Sequence, residues 1–540
     1  MAKTSFRAVK TEQLREINSL RGLIINKKQE DILMRRTKKM VSALCAGTML
    51  ATTLAGGSFG TFGGDLSAGV KAAGEDETVN LVWYIAGTAP NKPADVVKAL
   101  NEKSAEDIGI TVDFQFQGSD DAPTVSALTA GDSDVDIVTS ANWFADYRGS
   151  AMNNYFVDLT DILPEQAPEL WEKIPGILWD GVKVSDRIYG VPTWKDTAET
   201  QFWIGEEDLL AELGATDDFN KANVRLDSMT PALEKINAWM KEAPESNRSA
   251  EEATNAYMMD KRGDWSIKIE WDILSAQDLE IGVKNFGDEH PTVQWMYDDP
   301  EYVEDLKTLK KWADEGLSNG IAAAQVDSHP RGVISRGVGW DGAQYTVWGG
   351  EAVGYDTILA DAGGPFLKST AALGSVNCIP LNSKKVDAAV KYLQYINTNA
   401  DYRNMLAYGV KGVNYEEVDG RFKSLTGYDW VTPNYTMASF DMLLAPEAVP
   451  DADMYKKICD GVNTAPDNTL MGFAPDLSAV QNEIAACSSI VSEYAYELHR
   501  GDVKDVDAAI AEYREALDGL GLQEIIDELQ RQVDEFVASK

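Results

Sequence analysis

Val79-Asn80-Leu81-Val82-Trp83-Tyr84-Ile85, Ile110-Thr111-Val112-Asp113-Phe114-Gln115-Phe116 and Val135-Asp136-Ile137-Val138-Thr139 are three short apolar runs whose spacing decides the fold. The first reads as a buried strand, and the second alternates in the manner of a strand with one covered face. Between them, Asp95 to Ala105 carries Val96, Val97 and Leu100 on one helical face. A helical Val125-to-Ala130 segment and a Gly131-Asp132 turn lead into the third run. Strands that alternate with helices predict a parallel sheet and an α/β lobe.

Outward from this core, the pattern becomes more helical. Glu206 to Leu213, Thr230 to Lys241 and Pro300 to Gly316 read as helices in the middle of the chain. From Leu477 to Leu498, apolar residues fall at Leu477, Val480, Ile484, Cys487, Val491, Tyr494 and Leu498. Leu522, Ile525, Ile526, Leu529, Val533 and Phe536 repeat that spacing in a last helix. Both stripes are expected to pack on a core rather than on a membrane. No internal repeat is visible. With 540 residues and 44% apolar content, the chain is too long for one hydrophobic core and predicts more than one lobe.

Formal net charge is −38. Setting aside the 12 basic and 5 acidic residues before Glu75 leaves 37 basic against 82 acidic, a net −45. So acidic a surface repels nucleic acid and anionic lipid. The N-terminus has the opposite character. Met34-Arg35-Arg36-Thr37-Lys38-Lys39 is basic, Val41 to Leu54 is apolar, and small residues follow around Val70-Lys71-Ala72-Ala73. This is the order of a secretory signal peptide, and its apolar run is shorter than the roughly 20 residues of a membrane span. Cleavage is expected near Ala73, so that 1–73 forms an extension and signal. The protein is expected to be exported to the extracellular face of the membrane or the cell wall. Cys45 is a poor lipidation site because Leu44 precedes it where a small residue is needed. Cys378, Cys459 and Cys487 are an odd, widely spaced set that reads as small buried hydrophobes.

No phosphate-binding loop, dinucleotide fingerprint, nucleophile elbow or His-Glu-x-x-His motif occurs. His290, His329 and His499 lie far apart, which argues against a histidine metal site or a Ser-His-Asp triad. No cofactor, metal or catalytic residue is expected.

Several stretches, taken in order, resemble the extracellular solute-binding proteins of ABC importers, carbohydrate type. These are Val79 to Ala86, Leu128-Thr129-Ala130-Gly131-Asp132 with Asp136-Ile137-Val138, and Phe156-Val157-Asp158-Leu159-Thr160. Tyr189-Gly190-Val191-Pro192-Thr193 is similar to the family's strand that crosses between lobes. Gly374-Ser375-Val376-Asn377, Ala388 to Asn397 and Asp401 to Gly412 match its later strand and two helices. Met471-Gly472-Phe473 to the C-terminus resembles the helical end of a Gram-positive subgroup. Val333 to Asp341 departs from the family's usual wording, and the lipobox of many members is missing.

The resemblance implies a two-lobed periplasmic-binding-protein-like fold with a hinge and a helical C-terminal region. The first lobe is expected over 74–195 and about 345–395, the second over 196–344 and about 396–540. It implies a small-molecule solute, a carbohydrate, as ligand, and the permease subunits of an importer as partners. Ligands in open α/β sheets sit beyond the carboxyl ends of the strands, and aromatic rings there make flat platforms for the C–H faces of a sugar. Trp83, Trp143, Trp194, Trp340, Asp341, Tyr345 and Asn377 are the candidate ligand-binding residues, each with a core, turn or strand-cap role as its alternative. A receptor for a peptide or other polar solute, a secreted glycoside hydrolase and a wall-adhesion protein are the competing readings. A hydrolase would need two carboxylates about 5–9 Å apart across a cleft.

Overall fold

The computed structural model describes residues 78–130, 134–242, 254–275, 279–284, 287–327, 332–349, 354–427 and 430–540. The expected signal and cleavage segment, Cys45, the Gly131-Asp132 turn and His329 lie outside the described residues. In chain order the strands that frame the site are β1 (Val79–Ile85), β2 (Ile110–Phe116), β3 (Ile137–Ser140), β4 (Gly190–Pro192), β5 (Thr200–Glu206), β6 (Ile334–Gly339), β7 (Thr357–Asp361) and β8 (Val376–Cys378). The helices used below are α1 (Pro93–Ile108), α2 (Tyr147–Met152), α3 (Met454–Thr464), α4 (Val491–Arg500), α5 (Val506–Asp518) and α6 (Leu522–Ser539).

The opening βαβ unit forms as its pattern predicts. Proline fits the first turn of α1, where the missing N–H would have had no helical partner. Val96 and Leu100 bury their side chains, and Gly109 ends the helix at φ 72, which a residue with a Cβ adopts less readily. The chain then enters β2, which pairs with β1 in parallel from Val79↔Ile110 to Ile85↔Phe116. β1 also pairs in parallel with β3, while β8 runs antiparallel between β3 and β4, giving the order β2-β1-β3-β8-β4. Leu81, Trp83 and Ile85 point into the first core with Ile137, Tyr392 and Leu393. Each of the leucine and isoleucine side chains contributes about 1.5–3 kcal/mol relative to exposure.

The second core is separate and larger. Trp203, Tyr257, Trp271, Trp295 and Trp312 pack there beneath a second sheet in which β5 lies between β6 and β7, antiparallel to both. This sheet was not anticipated: Thr200–Glu206 alternates half-buried and buried residues, a period-two pattern inside a region that otherwise reads as helical. The C-terminal helices join this core through Val491, Leu498, Tyr513, Leu522 and Leu529. The stripe from Leu477 to Leu498 is interrupted between Ser488 and Val491, where the Ser489 hydroxyl donates to the Ala486 carbonyl and competes with the helical ladder.

Core membership divides the chain differently from the expected lobes. Tyr402, Leu406, Trp430, Met437 and Val462 belong to the first core, although 396–540 was expected in the second lobe. Ala360 and Ala362 belong to the second core, although 345–395 was expected in the first lobe, because β7 is laddered to β5. Among the described residues three segments pass between the cores, 193–199, 362–375 and 465–473. The first two exchange paired backbone bonds at Glu199 and Phe366, both 2.8 Å. Fully buried Asp272 ties the others together: it accepts from Ser369 N and Oγ at 2.7 and 3.0 Å and from Asn468 Nδ2 at 2.8 Å. Burial raises the Asp272 pKa even so.

Candidate functional site

Side chains alternate along β5 and the residue before it, so Glu199 and Gln201 face one side and Thr200 and Phe202 the other. A cavity lies on each side. One, of about 350 Å³, is lined by Glu199 and Gln201, by Lys368 of the second crossing, and by Asp264, Trp265 and Arg336 of the second lobe. The other, of about 410 Å³, is lined by Thr200 and Phe202, by Trp340, Asp341 and Tyr345, and by Met454 of α3.

The smaller cavity has the chemistry of a binding site. Gln201 Oε1, Trp265 Nε1 and Arg336 Nε and Nη1 are buried there without a hydrogen-bond partner in the protein. Such groups are costly when left dry, and a bound polar molecule or water satisfies them. In the larger cavity only Trp340 Nε1, among the described residues, has that character. Arg336 is 7% exposed, lies 4.5 Å above the Trp203 ring, and donates Nη2 to the Val224 and Ala362 carbonyls. Burial pulls its pKa below the usual guanidinium value. Glu199 is paired with Lys368 at 2.8 Å. Asp264 accepts from Tyr257 Oη at 2.9 Å and from Ser266 N and Oγ, so its carboxylate is held against the cavity base.

Against the Trp265 ring stands a buried charge cluster, whose Lys268 also lines the cavity. The Lys268 ammonium lies 3.1 Å from the centre of the Trp265 ring and is ion-paired with Glu280. Glu280 also meets His499 Nε2 at 3.1 Å and accepts from Tyr302 Oη at 3.1 Å. Burial works against the Glu280 anion, but Lys268 and His499 outweigh it and bring the pKa down to about 2.

On the first lobe, the carboxyl ends of β1 and β3 lead to Gly87 and Trp143. Trp143 is 50% exposed and its ring centre lies 6.3 Å from that of exposed Tyr435. Trp143 Nε1 donates to the Gly374 carbonyl at 2.9 Å, and Lys195 Nζ sits 3.6 Å from where a Cβ on Gly374 would stand. Arg148 of α2 follows closely. Its buried Nε and Nη2 have no partner, and burial lowers its pKa despite the opposing charge of Asp272.

The expected site residues therefore separate. Trp143 is at the strand ends, as expected. Trp340, Asp341 and Tyr345 come together, but in the cavity on the opposite face of β5. Trp83 has 0% exposure and packs on Phe114 and Tyr392, so its ring is core and cannot meet a ligand. Asn377 is 1% exposed, accepting from Thr139 Oγ1 at 3.3 Å and donating to the Met437 carbonyl at 2.9 Å, so it ties strands together. Half-buried Trp194 is wedged between two clusters of the first lobe and donates Nε1 to the Cys459 carbonyl at 2.9 Å. Trp265, Gln201, Arg148, Arg336 and Tyr435 were missed. Asp264-Trp265 follows the apolar run Ala256-Tyr257-Met258-Met259, and an aromatic residue just past such a run was the signal available.

Comparison with solved structures places this geometry. The N-glycan transport solute binding protein NgtS of Streptococcus pneumoniae superposes with a TM-score of 0.72 at 22% identity, covering 85% of this chain and 99% of that one. This is a solute-binding-protein fold. NgtS has also been solved with Man1GlcNAc, with a TM-score of 0.66 at the same identity over 85% and 99% of the two chains. An extracellular solute-binding protein of Bifidobacterium longum subsp. infantis matches at 0.58 and 15% identity, covering 85% and 99%. In sequence, a carbohydrate ABC transporter substrate-binding protein of Streptococcus pneumoniae is 24% identical over 94% of this chain and all of its own length. A family profile described as a domain of unknown function (DUF3502) matches residues 469–538, the helical end of the solute-binding fold. Among the described residues, no helix is long and apolar enough to cross a membrane.

Proposed function

We propose that the chain is the exported substrate-binding component of an ABC importer, and that it captures an oligosaccharide between its lobes and delivers it to permease subunits. The observation that carries this reading is the set of buried donors and acceptors around Trp265 with no partner in the protein. An aromatic ring beside guanidinium, indole and amide atoms that lack partners suits a polyhydroxylated ring: its C–H face stacks, and its hydroxyls exchange hydrogen bonds. Trp143 and Tyr435 supply a second aromatic platform at the strand ends of the first lobe. The relatives support a carbohydrate, and NgtS with Man1GlcNAc makes mannose-containing N-glycan fragments the first ligands to try.

Closing the lobes would bring Trp143 and Arg148 toward Trp265, a hinge motion driven by the ligand's preference for the closed state. No covalent step is needed. Residues 1–73 would act as signal and be removed before the protein reaches the cell surface.

Native mass spectrometry and calorimetry of the protein from Glu75 onward, against a panel of neutral glycans, acidic glycans and peptides, test the proposal. An intact oligosaccharide bound one to one is the expected result. Peptide binding alone would move the ligand class, and shortened sugars accumulating in proportion to protein would make it a hydrolase.

A further inference from the structure

The C-terminal helical region reaches the cavity from behind. Asp260–Lys268, the loop that carries Trp265, rests on α4. Asp264 N donates to the His499 carbonyl at 3.1 Å, and Arg500 Nη1 donates to the Lys261 carbonyl at 2.5 Å. Gly263 permits this approach: at φ 85, a Cβ there would stand 2.4 to 2.6 Å from His499 backbone and side-chain atoms. Trp265 is then held by two rings of the same helix. The His499 ring centre is 5.1 Å away and tilted by 55°, and Tyr496 meets it edge-on at 5.9 Å. His499 is fully buried and is fixed from its far side by Tyr302 Oη at 2.9 Å. α4 is in turn seated on α5 and α6 through the second core, within 469–538.

We infer that this helical region is a working part of the ligand site: Tyr496 and His499 are positioning residues that set the Trp265 ring at the angle a stacked ligand requires. The inference rests on the reading that the Trp265 cavity holds an oligosaccharide. A rigid platform loses less conformational freedom when a ligand settles on it, so affinity depends on the support behind the ring as well as on the ring itself. A general stabilising role for the helices would make a different demand: any variant in them would lower melting temperature, and the folded fraction would bind normally.

The test compares Tyr496→Leu, His499→Phe and Leu529→Ala with the wild type. Leu529 is fully buried in the same core but lies on α6, whereas both rings against Trp265 come from α4. Calorimetric affinity, melting temperature and the ¹⁹F spectrum of 5-fluorotryptophan-labelled protein are measured for each. The Trp265 resonance is assigned by its loss in Trp265→Phe. The expected result is a roughly tenfold or greater loss of affinity and a shifted or broadened Trp265 resonance in Tyr496→Leu. Leu529→Ala should melt lower yet bind as the wild type does at temperatures where it is folded. His499→Phe keeps a ring against Trp265 and should lose less affinity than Tyr496→Leu. Unchanged affinity together with an unchanged Trp265 resonance in Tyr496→Leu overturns the inference. If the wild type binds no glycan, the functional proposal fails, and the resonance still reports whether α4 holds the ring.

Discussion

Glu280→Gln isolates the buried charge behind the binding loop. The substitution keeps the shape and an acceptor for Tyr302, but removes the anion that Lys268 and His499 face at 0% exposure. A carboxyl whose pKa falls from 4.5 to about 2 on folding gains about 3 kcal/mol of stability at neutral pH, at about 1.4 kcal/mol for each unit. The variant also leaves Lys268 buried beside a neutral amide, and breaking a buried pair costs about 3–5 kcal/mol. A loss of roughly 3–5 kcal/mol at pH 7 is therefore expected. Because the native pKa is depressed, this contribution is fully present above the unfolded value and disappears as pH falls from about 4.5 toward 2. Urea unfolding of both proteins at pH 7, 5, 4 and 3 gives the difference directly, and titrations shared by the two cancel. A difference below about 0.5 kcal/mol at pH 7, or one that stays constant down to pH 3, would refute the account of the cluster.

Trp194→Phe should lower stability by about 1 kcal/mol through the lost bond to Cys459 O and leave glycan affinity unchanged, as melting and calorimetry together would show. Trp143→Ala should behave in the opposite way, with melting within a degree or two of the wild type and affinity reduced by about 1–3 kcal/mol. Asn377→Ala leaves the Met437 carbonyl without its donor in the core, and should cost about 1–3 kcal/mol in denaturant unfolding with no change in ligand selectivity.

Much of the first lobe was legible because its signals are local. β1 and β2 fall where Val79–Ile85 and Ile110–Phe116 place them, since an apolar run bounded by a capped helix leaves the backbone few alternatives. The amphipathic stripe of α6 was equally plain, since a 3.6-residue period fixes which face is buried before any partner is known. Sequence alone also established the acidity of the surface, the basic and apolar N-terminal segment, and the succession of motifs shared with solute-binding proteins.

Which aromatic residues meet a ligand depends on relations that no local pattern contains. Trp83 and Trp143 both sit near strand ends in the sequence. Yet one packs under the sheet against Tyr392, more than three hundred residues away in the chain, and the other emerges beyond β3. Gln201 and Phe202 are neighbours, but the pleat of β5 sends them to different cavities, and only the pairing with β6 and β7 determines which residues join each. Trp265 became a candidate only once the chain had folded back so that Gly263 met His499 and four polar atoms were buried around the same space. Secondary structure follows from periodicity along a few turns of chain. A binding site is the meeting of segments hundreds of residues apart, and tertiary packing alone sets their distances and their desolvation.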